Sequence, residues 1–165
     1  MKPMDILLDE KEVAARIEDL ATVDAQAALA YCRALAQTYG TVEQRAQSAA
    51  CARCLCRFLL HRKTKSRLPA LLREDALIRR TVFGTVNTYK YSLVRMLRLV
   101  MRENDPVLLT QVLTLLKNNP FADENAKPYT DRWSVAFIVR EALTAPADYL
   151  KLSEDCLTII RHLAL

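Results

Sequence analysis

Glycine occurs only twice in these 165 residues, at Gly40 and Gly84. Tight β-hairpins draw on glycine for their positive-φ positions, so a sandwich or barrel would lack most of its turn chemistry here. Phosphate-cradling loops of the G-x-G-x-x-G or P-loop kind need glycines a few residues apart, which this pair is not. The phosphate-cradling loops are excluded, and the composition argues against an all-β fold. At 52% hydrophobic and 26% charged residues, the composition is that of one folded domain and not of a disordered chain.

Helical periodicity takes the place of turn chemistry. Val13, Ile17 and Leu20 fall at i, i+4 and i+7 behind Asp9 as N-cap. A second helix starts at Asp24, carries Ala28, Tyr31, Cys32, Leu35 and Ala36, and stops at Gly40. Thr41-Val42-Glu43-Gln44 has the capping-box pattern and opens a third helix running to about His61. Residues 68–80 read as one shorter helix with Pro69 in its first turn, where proline's missing amide is harmless. Gly84 and Asn87 interrupt the pattern, and 88–102 resumes it with Val94, Leu97 and Met101. Asp105-Pro106 is an N-cap followed by an N1 proline, and Asn118-Asn119-Pro120 closes that helix. Thr130 or Asp131 caps a helix with Trp133, Phe137, Ile138 and Leu143. A last helix begins near Asp148 and carries Leu150, Leu157, Ile160 and Leu163. The fold class is therefore all-α, with about eight helices.

Helical pairs open at Val42, Thr88 and Asp131, 46 and 43 positions apart. Tyr89 to Asn118 forms one such pair, with Glu103-Asn104-Asp105-Pro106 as its hairpin turn. In this spacing the chain resembles HEAT and armadillo repeats, whose units stack because none buries its apolar face alone. The resemblance implies an α-solenoid of pairs near 9–39, 41–80, 88–118 and 130–164, with a compact helical bundle as the alternative. Asp131-Arg132-Trp133-Ser134-Val135-Ala136-Phe137-Ile138 looks like the Trp-bearing helix of Bcl-2 proteins. It lacks the Gly-Arg pair that follows the Trp in that family.

Net charge is +5, unevenly spread. Residues 53–102 hold 13 cations against Glu74 and Asp75, a local +11, while the segments on either side are each −3. Arginine outnumbers lysine ten to three in that middle segment, and its planar fork suits carboxylate or phosphate. Arg53 and Arg57 are one helical turn apart and lead into Arg62, Lys63 and Lys65. Arg95, Arg98 and Arg102 follow Tyr91 along a second stripe. These eight cations form the candidate anion-binding surface, on the expectation that the two rows meet once the chain folds. Solvated helix faces and internal pairing with the acidic ends are the competing use of the same side chains.

Five cysteines, an odd number mostly within helical stretches, argue against an extracellular disulfide framework and for an intracellular site, cytoplasm or nucleus. No stretch approaches the ~18 uninterrupted apolar residues of a membrane span. Cys51, Cys54 and Cys56 do not make a metal site: at about 100° per residue, Cys56 points some 160° away from Cys54. If one of them is reactive, Arg53 and Arg57 beside it would lower its pKa. His61 and His162 stand far apart, so no nucleophile–base pair suggests an enzyme. The reading is a non-catalytic scaffold or adaptor without cofactor or metal, presenting a basic surface to an acidic protein segment or a larger assembly. Nucleic acid is the alternative ligand. The apolar C-terminal stretch Ile160 to Leu165 suits packing on a partner or a second copy.

Overall fold

Several helix starts that the structure describes have a local cause. The computed structural model describes residues 8–40, 45–84, 90–117, 135–144 and 151–164. Asp9 accepts a hydrogen bond from the Glu12 amide and opens α1, Glu10–Val23. Asp24 alone joins it to α2, Ala25–Tyr39, with its carboxylate accepting from the amides of Gln26 and Ala27. Gly40 caps the C-terminus of α2, its amide 2.9 Å from the Ala36 carbonyl. α3 is Arg45–Leu59, followed by a 3-10 turn at Lys65–Arg67. The capping box at 41–44 and the pair openings at Val42, Thr88 and Asp131 lie outside the described residues.

The stretch expected as one helix over 68–80 is two. α4 is Leu68–Glu74 and α5 is Ala76–Phe83, broken at Asp75, whose backbone is extended. The Asp75 carboxylate accepts from the Ile78 amide at 3.0 Å and from Arg33 Nε of α2 at 2.6 Å. An aspartate that caps a new helix and binds a neighbouring one wins over continued helical hydrogen bonding. α6 is Lys90–Met101 and α7 is Pro106–Lys117, with Asp105 capping α7 through the Val107 and Leu108 amides. Asn104 in the turn between them has φ of 49°, a conformation that asparagine tolerates better than most residues. α8 is Val135–Leu143. α9 is Glu154–Leu163, starting later than expected, with the Ser153 hydroxyl oxygen accepting the capping hydrogen bond from the Cys156 amide.

Contacts between helices run in two rows. α1, α3, α6 and α8 touch in succession, as do α2, α5, α7 and α9, and α4 sits against α5 and α6. Turns are stitched across the rows: Lys63 Nζ donates to the Thr22 carbonyl, Arg73 pairs with Asp105 at 2.7 Å, and Asn104 exchanges two hydrogen bonds with Lys151 and Ser153. Apolar side chains from all nine helices among the described residues share one core, with Phe58, Leu68, Phe83, Met96 and Leu108 among its largest fully buried side chains. Truncating one such side chain to alanine costs about 2–5 kcal/mol. No helix among the described residues is long and apolar enough to cross a membrane.

Candidate anion-binding groove

α3 packs against α1, α2, α5 and α6, so little of its circumference stays open. From Ala50 to Leu59 every residue is buried except Arg53 and Arg57. Those two, one turn apart, mark the line along which this part of α3 reaches the surface. The packing also explains Cys56, which was placed away from Cys54 yet is buried as deeply: α3 has protein on nearly every side. Burial pushes the Cys51 and Cys56 thiols up to about 12. Cys54 is pushed up to about 11 by burial and Glu10, against the downward pull of Arg57 and Arg53. The lowered thiol pKa expected from those arginines is therefore reversed.

α6 supplies the facing wall. A groove of about 380 Å³ between α3 and α6 is lined by Arg53, Arg57, Leu60, His61, Ser92 and Arg95, with Cys56 and Glu18 at its sides. Arg53 is held there by a two-pronged pair with Glu10, Nε to Oε1 and Nη2 to Oε2, each at 2.7 Å. That hydrogen-bonded guanidinium, aided by Arg57, holds the Glu10 carboxyl below its usual range despite partial burial. Arg57 and Arg95 are exposed, and neither makes a hydrogen bond or ion pair among the described residues. Glu18, the one acid among the described residues lining the groove, is hydrogen-bonded to His61 at 3.1 Å. His61 Nδ1 accepts from the Lys63 amide, which leaves the proton of the neutral ring on Nε2, facing Glu18.

The chain leaves the groove at His61 and enters the basic turn. Thr64 is buried and donates its hydroxyl to the Phe58 carbonyl, which fixes the turn from inside. Arg62, Lys63 and Lys65 point outward around it. Lys63 is occupied by the Thr22 carbonyl at the end of α1, at 3.0 Å. Arg62 and Lys65 make no hydrogen bond or ion pair among the described residues.

The rest of the α6 stripe goes elsewhere. Three residues advance a helix by about 300°, so Arg98 lies some 60° round from Arg95 and meets α8 instead of α3. Arg98 Nη2 donates to the Glu141 carbonyl at 2.8 Å and Nε to the Ala142 carbonyl at 3.3 Å. Carbonyls in the last turn of a helix have no partner within it, so Arg98 caps α8 from outside. Arg102 is exposed beyond the end of α6 and does not line the groove. The structure thus brings together Arg53, Arg57 and Arg95, places Arg62, Lys63 and Lys65 next to them, and separates Arg98 and Arg102.

Three groove residues escaped the sequence reading: Ser92, His61 as a groove wall, and the Glu10 clamp on Arg53. Glu10 and Arg53 are 43 positions apart, and nothing local marks the pair. Ser92 stands three residues before Arg95 on one helical face, a spacing that does carry a signal. Among the described residues no three His, Cys, Asp or Glu side chains group as a metal site. No family model, curated protein or solved structure matches the chain.

Proposed function

We propose that the protein is a non-catalytic scaffold of stacked, HEAT/armadillo-like helical pairs that binds an acidic protein segment in the α3–α6 groove. The observation that carries this reading is the state of Arg57 and Arg95. Other arginines of the chain are spent internally: Arg33 on Asp75, Arg53 on Glu10, Arg73 on Asp105 and Arg98 on α8 carbonyls. Two guanidinium groups from different helices, without an ion pair among the described residues and facing one groove, form charge-assisted hydrogen bonds to a partner's carboxylates. Arg62 and Lys65 extend the positive field and speed encounter. The succession of contacts along the two rows supports a stacked arrangement in which such a groove lies along the α1–α3–α6–α8 row.

The test is fluorescence anisotropy with a labelled polyglutamate peptide and a single-stranded oligonucleotide of equal charge, across a salt series. We expect the peptide to bind, and Arg57→Glu with Arg95→Glu to weaken it at least about tenfold, roughly 1.4 kcal/mol. Reversing Arg102 leaves binding within about twofold at moderate salt, where distant charges are screened. Preference for the oligonucleotide, with a steep log-salt slope, would assign the surface to nucleic acid instead.

A further inference from the structure

Among the described residues, Ser92 is the one hydroxyl-bearing side chain lining this groove. Thr22, Thr38, Thr81, Thr110 and Thr158 each donate to a carbonyl one helical turn back. Ser92 makes no hydrogen bond among the described residues. It sits half-buried in the first turn of α6 and shares the groove lining with Arg57 and Arg95, which make no hydrogen bond or ion pair among the described residues. α6 carries no acidic residue in its first turn, whereas α1 and α9 each carry two. The start of a helix favours negative charge, so α6 lacks a stabilising element that those helices have. A group bearing two negative charges on the Ser92 oxygen would meet both needs: a counter-ion for two arginines and an anion at a helix start.

We propose that Ser92 is a phosphorylation site, and that its phosphoryl group is held by Arg57 and Arg95 and closes the groove to an acidic segment. The transfer is that of a serine kinase using a nucleoside triphosphate. Ser92 Oγ attacks the γ-phosphorus, the new O–P bond forms as the bond to the β–γ bridging oxygen breaks, and the nucleoside diphosphate leaves with that electron pair. The hydroxyl proton passes to the kinase's base. Arg95 three residues after the serine suits a kinase that selects basic flanks. The closing of the groove rests on the acidic-segment reading above; the clamping of the phosphoryl group does not.

The experiment uses the full chain with phosphoserine incorporated at position 92, alongside the same protein carrying Arg57→Gln and Arg95→Gln. Phosphorus-31 NMR is expected to show the second ionisation below its ordinary value near ~6, returning toward it in the double variant. Polyglutamate affinity is expected to drop at least about tenfold on phosphorylation. Ser92→Ala should retain it, which separates added charge from the lost hydroxyl. Incubation with a basic-directed serine kinase and ATP, read by fragment-ion mass spectrometry, should label Ser92. The same titration with and without the two arginines, unchanged polyglutamate binding, or label confined to other hydroxyls would each overturn the proposal. If the unmodified chain ignores polyglutamate while the phosphorus titration still depends on the arginines, the phosphate clamp stands and the acidic-segment reading fails.

Discussion

The five cysteines show how neighbours and burial compete at one atom. Arg53 and Arg57 flank Cys54 and favour its thiolate, but removing the thiol from water has the larger effect. All five thiols are buried and free. A thiol-specific reagent at pH 8 is therefore expected to label none of them faster than the chain unfolds, and all five in denaturant. Rapid labelling of Cys51, Cys54 or Cys56 in the native protein would contradict the burial described here. Flanking charge is legible in a sequence; the number of helices around α3 is not. Cys54 and Cys56 point some 160° apart on the helical wheel, and other elements cover both directions.

At the scale of elements, ends with a local cause could be read from the sequence. Asp9, Asp24 and Asp105 each cap the helix that follows, and Gly40 ends α2, because a cap is a contact over two to four residues. The break at Asp75 escaped because its deciding partner, Arg33, is 42 positions away. Burial alone would raise the Asp75 pKa, but the Ile78 amide and the Arg33 guanidinium outweigh it and hold the carboxyl below its usual range. A carboxyl with a lowered folded-state pKa adds stability above its unfolded pKa and loses it as pH falls through the folded one. Asp75→Ala is expected to cost about 2 kcal/mol at pH 7, from a lost cap and a charged hydrogen bond shared with a half-exposed arginine. Urea unfolding at pH 7 and again below pH 3 checks this. The deficit should shrink once the wild-type carboxyl is protonated, and an equal deficit at both pH values would mean the charge is irrelevant.

Across the whole molecule, the all-helical class followed from two glycines and the periodicity. The meeting of the basic rows was only half visible. Arg53, Arg57 and Arg95 do share a groove, whereas Arg98 was drawn off by carbonyls 43 and 44 positions further along. Spacing along one helix tells which side chains share its face, not which neighbour that face will meet. The central claim is that Arg57 and Arg95 engage one acidic ligand together, and a double-mutant cycle with Arg57→Gln and Arg95→Gln on polyglutamate affinity tests it most directly. Side chains that grip the same segment couple, so the double variant is expected to lose less than the two single losses combined, by at least about 0.5 kcal/mol. Strictly additive losses, or no loss from either substitution, would show that the two arginines do not act on one ligand.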